Sequence, residues 1–323
     1  MSGQQELITV VVPAYNAQAT IDETLHSVRA QTYKTLDVVV VDDGSTDTTA
    51  EIVARHVRDD SRVRLLQQPN SGVAAARNAA IAVAGGEFIA PIDADDLWHP
   101  TKIEKQLSAM RRGGERAGLA YAWTALIDLN SCIVALAAPN FDQGDVLSRL
   151  CHSNMVGNGS APLMRLAAVL QAGCYDTTLV QRQAQGCEDI ALYLAIAQQH
   201  DFVLVPEYLT GYRQRPDSMS KDSLQMWRSL NLVTGELMAQ RPDLRPQLRN
   251  GRANMLLTIY RRLKAEGDHR RARLYLHQLV ATMPYHALKA FVYRPLREAW
   301  RRRVQRSPPA LQQAWIGRRF PPE

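Results

Sequence analysis

The chain has 323 residues, 46% of them hydrophobic, and a formal net charge of +6. That is enough for one large domain, or a domain with an appendage. No stretch approaches the roughly 20 apolar residues of a spanning helix, no signal-peptide pattern precedes Ile8–Val12, and Cys132, Cys151, Cys174 and Cys187 lie too far apart for a disulfide framework or zinc site. A cytoplasmic protein is expected.

The first 130 residues alternate strand and helix. Ile8–Val12 is a β-branched strand ending at Pro13. Thr20 and Glu23 have the spacing of a capping box, opening a helix with Ile21, Leu25 and Val28 on one face. Leu36–Val41 is a second buried strand, followed by Asp42-Asp-Gly-Ser-Thr-Asp47 and a helix through Ile52 and Val53. Val63–Leu66 is a third strand, and Asn70-Ser-Gly72 opens an Ala-rich helix to about Ala84. Glu87–Ile92 is a fourth strand, and Pro100 starts the next helix. Leu119–Ile127 is a further strand. Continuous apolar strands with intervening helices imply an α/β fold whose mainly parallel sheet is covered on both faces.

From residue 129 to 187 the pattern weakens to loops and a helix near Leu163–Ala172. A helix follows at Ile190–Ala197 and a short strand at Phe202–Val205. Beyond residue 220 the pattern is all helical: Leu224–Met238, Leu248–Ala265, His269–Met283 and a basic helix Ala287–Val304, with Gly267-Asp268 turning one hairpin. Two regions are expected, 1–220 and 221–323. They differ in charge, with 17 Lys+Arg against 25 Asp+Glu in the first and 21 against 7 in the second. The basic tail interleaves Arg297, Arg301, Arg302, Arg303 and Arg306 with Phe291, Tyr293, Leu296 and Trp300. Docking on anionic lipid, a homo-oligomer contact and a solvated helix pair all fit this pattern. No nucleic-acid module surrounds the charges, so nucleic acid is not an expected partner.

Four strand-end loops carry the chemistry, on the side where open α/β sheets bind ligands. They contain Pro13-Ala-Tyr-Asn16, Asp42–Asp47, Asn70–Arg77 and Asp93-Ala-Asp-Asp96. Tyr15 is placed to stack on a flat base. Asp42 or Asp43 is placed to accept the ring N–H of uracil or a related base, because an ionised carboxylate only accepts. Arg77 is the one charge between Asn70 and Gly86, either snorkelling to the surface or contacting phosphate or base. Asp93 and Asp95 point the same way on a strand, an arrangement that suits a hard divalent cation carrying a diphosphate. Asp96 is expected to cap the next helix.

In this order and spacing, the four loops resemble the family-2 inverting glycosyltransferases of the GT-A fold, bacterial cell-surface polysaccharide or lipopolysaccharide type. Gly173-Cys-Tyr-Asp176, Glu188-Asp189 and Tyr212-Arg-Gln-Arg-Pro-Asp-Ser-Met-Ser220 extend the resemblance to about residues 6–220. It implies a Rossmann-like mixed sheet, with transfer of a sugar from a nucleotide-sugar, UDP-linked by expectation, to a glycan or lipid-linked hydroxyl. Asp43 is then the base contact, and Asp95 the ligand of Mn²⁺ or Mg²⁺ with Asp93 near the ribose and sugar. Asp189 is the general base, with Glu188 beside it helping to orient the site. Pro13, Tyr15, Asn16 and Arg77 complete the nucleotide-sugar site. Relatives commonly carry His where this chain has Arg215, which cannot ligate metal but can bind diphosphate, so Arg213 and Arg215 become candidate phosphate clamps. The Gln-x-x-Arg-Trp motif of processive synthases is absent, favouring single addition. The resemblance does not extend to the tail; if the tail docks on anionic lipid, the protein is expected on the inner face of the membrane. A nucleotidyltransferase would show a Gly-rich basic loop where Pro13–Asn16 stands. A non-catalytic binding scaffold of this fold would not need Asp95 and Asp189.

Overall fold

The computed structural model describes residues 6–215, 218, 222–285 and 314–322. The first half follows the alternation in the sequence. The strands β1 (Ile8–Ala14), β2 (Leu36–Asp42), β3 (Val63–Gln67) and β4 (Phe88–Pro91) are separated by α1 (Ile21–Arg29), α2 (Thr49–Asp59) and α3 (Val73–Ala82). β1 pairs in parallel with both β2 and β4, and β2 with β3. Side chains alternate across the sheet. Val10, Val12, Val38 and Val40 pack with α1 and α2 on one face, whereas Val11, Val39 and Val41 meet the alanines of α3 on the other. Burial on both faces explains why these strands are unbroken apolar runs.

The second half adds β5 (Leu97–Trp98), α4 (Lys102–Gly113), β6 (Ala117–Ile127), β7 (Ile133–Leu136), α5 (Leu147–Leu150), β8 (Leu163–Arg165), α6 (Leu166–Gln171), α7 (Thr178–Gln181), α8 (Glu188–Ala197) and β9 (Asp201–Arg213). The strand order is β3-β2-β1-β4-β8-β6-β9-β5, with β7 on β6, making a nine-stranded sheet among the described residues. Antiparallel pairs join β4 to β8 and β8 to β6, while β6 and β9 run parallel. The expected mixed, mainly parallel sheet is therefore found.

Helices α9 (Ser223–Gln240), α10 (Arg245–Ala265) and α11 (His269–Thr282) follow. They do not stand apart from the sheet region. Val233, Leu237, Leu244 and Leu248 belong to the same core as Val11 and Val39. Trp227, Leu256, Ile259, Tyr275 and Leu279 form a second, smaller core among the three helices. Gly267, at φ 81°, and Asp268, which accepts from the Arg271 amide, turn the α10–α11 hairpin as expected.

Three expectations need correction. The α1 cap is not a capping box. Thr20 precedes the helix, but its hydroxyl donates to the Ala94 carbonyl (2.9 Å) and Glu23 turns to Arg213, so tertiary partners outcompete the local cap. The segment Leu163–Ala172 splits into β8 and α6, because Leu163 and Met164 complete the ladder beside β4 and β6. The strand expected at Phe202–Val205 runs on to Arg213, since β6 offers it partners as far as Ile127. The basic helix Ala287–Val304, with all its arginines and aromatics, lies outside the described residues.

Candidate active site

A cavity of about 720 Å³ opens beside the carboxyl ends of β1 and β4. Pro13, Tyr15, Arg77, Asp93, Asp95, Glu188, Asp189, Arg213 and Arg215 all line it. The loop 157–159 and faces of α9 and α10 close the remaining walls. Residues far apart in sequence converge because β1 and β4 are neighbours in the sheet and α8 starts beside them, at the switch point where such sheets bind ligands.

Tyr15 sits at the rim, 52% exposed, with an uncovered ring. Asn16 takes positive φ (48°), and its side-chain oxygen accepts from the Thr46 amide (2.8 Å). It ties two loops together and is not in the cavity wall. Asp43 is also outside that wall. It is buried, Oδ1 accepting from Gln68 Nε2 (2.7 Å) and the Ser71 amide (2.9 Å), Oδ2 from the Gly72 amide (2.8 Å). Asp43 thus orders the loop that leads into α3. Asp42 accepts from the Ser45 amide (3.0 Å) and Gln67 Nε2 (3.2 Å).

Arg77 does not snorkel. It is buried, and its Nη2 donates to Asp93 Oδ1 at 2.5 Å with the guanidinium 5.1 Å from the Tyr175 ring centre. Burial opposes its charge, but Asp93, Tyr175 and Asp189 hold its pKa above the usual arginine value. Gly159 makes room for the pair, since a Cβ there would lie 2.6 Å from Arg77 Nη2 and 3.3 Å from Asp93 Oδ2. Among the described residues, Arg77 Nε, Tyr175 Oη and Glu188 Oε1 are buried and find no hydrogen-bond partner. Such groups are costly unless a ligand or water completes them.

The acidic cluster divides its labour. Asp95 is a cavity carboxylate whose pKa is raised, first by burial and then by repulsion from Asp93, while Arg215 and Arg213 pull it down. Asp96 does not cap a helix, because α4 begins only at Lys102. It is fully buried, Oδ1 accepting from the Arg213 amide (2.9 Å) and Oδ2 from Ser160 Oγ (2.5 Å). Ser160 Oγ also accepts from the Asp93 amide (2.9 Å). Burial first, then Asp95 and Asp93, push Asp96 well above the usual carboxylate range.

Arg213, a candidate phosphate clamp, reaches the cavity wall but is 1% exposed. Its Nε donates to the Asp95 carbonyl (2.6 Å), Nη1 to the Asp128 carbonyl (3.0 Å) and Nη2 to Glu23 (2.8 Å). With every guanidinium nitrogen held by protein, Arg213 supports the loop after β4. Arg215 is the cavity arginine two residues on.

Glu188 and Asp189 open α8. Asp189 Oδ1 accepts from the Ile190 amide (2.8 Å) and Glu188 Oε2 from the Gly186 amide (2.8 Å). The Asp189 carboxyl is pushed up to about 6, chiefly by burial, with Arg77 opposing and Glu188 and Asp93 adding repulsion.

Sequence reasoning missed Gly159, Ser160 and the α9–α10 wall. Gly157-Asn-Gly-Ser160 reads as a loop, and nothing local points it at Arg77. A separate group, Asp22, His26 and His56, brings possible ligand atoms within 4.8 Å of one another on α1 and α2, away from the cavity. Its members already bond each other, with His56 Nε2 3.0 Å from Asp22 and the Arg29 guanidinium 3.1 Å from His56 Nδ1.

Comparison with known proteins bears on the family and the fold. Residues 9–121 match the model of glycosyl transferase family 2. Over 134 residues the chain is 37% identical to WfgD of Escherichia coli, a UDP-Glc:alpha-D-GlcNAc-diphosphoundecaprenol beta-1,3-glucosyltransferase, covering 41% of this chain and 51% of WfgD. Over 100 residues it is 45% identical to the glycosyltransferase GlyG of Streptococcus pneumoniae, covering 31% of this chain and 33% of GlyG. The chain thus spans about a third to a half of the length of these relatives. The fold matches S. aureus TarS 1-349 in complex with UDP-GlcNAc at TM-score 0.60 and 17% identity, over 80% of this chain and 83% of that one. It also matches the mannosyltransferase PcManGT of Pyrobaculum calidifontis in complex with GDP-Man and Mn²⁺, at TM-score 0.60 and 21% identity, over 97% of this chain and 85% of that one. Residues 9–121 of this chain therefore form a glycosyl transferase family 2 domain, within a structure that has the GT-A fold.

Proposed function

We propose that the protein is an inverting glycosyltransferase that moves a sugar from a UDP-sugar to a hydroxyl of a glycan or lipid-linked acceptor. The observation that carries this reading is the convergence of Asp93, Asp95, Arg77 and Asp189 in one cavity, with unpaired buried atoms on Arg77 and Glu188. The likeness to TarS in complex with UDP-GlcNAc and the diphosphoundecaprenol-linked acceptor of WfgD support the donor and acceptor classes.

In this reading Tyr15 stacks on the base at the rim, and Arg215 faces the diphosphate. Glu188 Oε1 accepts from a sugar or acceptor hydroxyl. The acceptor oxygen bonds to the anomeric carbon as the bond to the diphosphate breaks, inverting the centre, and Asp189 takes the hydroxyl proton. The acceptor enters beside α9 and α10, where Met226, Leu230, Leu248 and Met255 give an apolar wall and Asn154 and Asn254 a polar one.

The donor set suits a hard divalent cation such as Mn²⁺ or Mg²⁺. The Asp95 carboxylate lines the cavity and is pressed by Asp93, with Arg215 and Arg213 opposing. Asp95 would hold the cation, which would offset charge on the departing diphosphate. Arg77 already balances Asp93. Among the described residues no helix is long and apolar enough to cross a membrane.

The test is a panel of UDP-, GDP- and dTDP-sugars with Mn²⁺, read by thermal shift and donor hydrolysis. One or more UDP-sugars should raise the melting temperature and be hydrolysed slowly. Failure of the whole panel to bind would remove the reading.

A further inference from the structure

We infer that the segment 314–322 is part of the donor-site framework: Phe320 fixes it on the sheet, and Arg319, through Glu23 and Arg213, holds the Asp95 backbone in place. This rests on the proposed role of Asp95 in holding the metal and diphosphate. Arg319, Phe320 and Glu23 touch no substrate in this scheme; they are positioning residues.

Two independent lines of contact lead from this segment to Asp95. The first is apolar. The segment is stitched to the loop before β7 and to its first residue, the Phe320 amide donating to the Ser131 carbonyl, the Ile133 amide to the Arg318 carbonyl and the Gly317 amide to the Ile133 carbonyl, each at 2.8 Å. Phe320 is buried in a cluster with Leu97, Ala125, Ile127 and Ile133. Its ring lies against Gly211 of β9, where a Cβ would come within 2.8 Å of it. Gly211 pairs with Leu97, two residues after Asp95, and lies two residues before Arg213. The phenyl ring therefore backs both strands that carry the metal wall.

The second line is ionic. Arg319 Nη2 donates to Glu23 Oε1 (2.8 Å), and the other carboxylate oxygen accepts from Arg213 Nη2 (2.8 Å). Ser131 donates to the same carboxylate (2.7 Å). Arg213 passes the constraint to the Asp95 carbonyl through Nε and to Asp96 through its amide. Asp96, through Ser160, fixes the Asp93 amide. The peptide from Asp93 to Asp96 is thus held from both sides. A buried guanidinium needs an anion beside it, and Glu23 is the carboxylate with which Arg213 forms an ion pair among the described residues. Outer partners of this kind orient metal ligands and affect affinity without touching the ion.

The test uses the full chain with Glu23→Gln, Arg319→Gln, Arg319→Lys and the double variant Glu23→Gln/Arg319→Gln. Arg116→Gln, which breaks the exposed Arg116–Asp201 pair, is the control. UDP binding with Mn²⁺ is measured by calorimetry, and amide exchange of residues 93–98 by mass spectrometry without ligand. Glu23→Gln should weaken UDP binding about 10-fold and speed exchange at 93–98. Arg319→Gln should shift both in the same direction by less, because its pair is exposed, and Arg319→Lys should restore part of the loss. The double variant should be no weaker than Glu23→Gln alone, since both act through one chain of contacts. Wild-type binding and exchange in Arg319→Gln, or losses that add in the double variant, would overturn the inference. Wild-type protein that binds no UDP would overturn the donor reading instead, and the exchange rates would still decide the coupling.

Discussion

Arg77 donates from Nη2 to Oδ1 of Asp93 at 2.5 Å, joining α3 to the loop after β4 inside the cavity. The contact exists only because residue 159 has no side chain. It leaves Asp93 neutralised by protein and Asp95 open to the cavity. It also places a cation close enough to Asp189 to oppose the rise in its pKa.

Gly159→Ala should break this arrangement. A methyl 2.6 Å from Nη2 must displace the guanidinium or the loop, and a displacement of about 1 Å can cost on the order of 100-fold in rate. We expect kcat/KM to fall at least about 10-fold with a modest loss of thermal stability. Steady-state kinetics beside a melting curve check this, and unchanged kinetics would show that Arg77 tolerates displacement.

Asp189→Asn keeps the shape of the α8 start and removes the base. Transfer should fall by about 10²–10⁴ in kcat, the usual contribution of a positioned base. Calorimetric binding of UDP with Mn²⁺ should persist. Transfer near the wild-type rate would assign the proton to another group.

The pH profile follows from the same carboxyl. Burial pushes Asp189 up to about 6, and a general base works only when ionised. Activity should therefore drop as pH falls through about 6 and be level above it. Arg77→Gln removes a charge that lowers this pKa, so the acidic limb should move to higher pH. A profile flat from about pH 5 to about pH 8 contradicts the assignment.

Gly251→Ala tests whether the helical region is integral to the site. A Cβ on Gly251 would run into the backbone carbonyl of Cys151, which with His152 forms part of the cavity wall. Overpacking of this kind costs about 1–3 kcal/mol. The variant should melt earlier in a single transition together with the sheet region, because Leu248 belongs to the main core. Two separate transitions would argue for an independent helical unit.

The sequence by itself determined the framework. The β-branched runs of β1 and β2 state their own burial, and the spacing of the loops around Tyr15, Arg77, Asp93 and Asp95 named the residues that meet in the cavity. Local rules failed where a residue had a stronger partner far away. Glu23 had the position of a capping residue and instead bridges Arg213 and Arg319, which lie 190 and 296 residues away. Asp96 had the look of a helix cap and became a buried link between β9 and Ser160. Arg213 had the charge for phosphate, but burial committed its guanidinium to the protein. Gly159 carries no local signal, since a missing side chain matters only when Arg77 and Asp93 approach it. Alternation and spacing are properties of neighbouring residues and are legible along the chain. Hydrogen-bond partners and close approaches are set by which strands become neighbours, and only the folded sheet decides them.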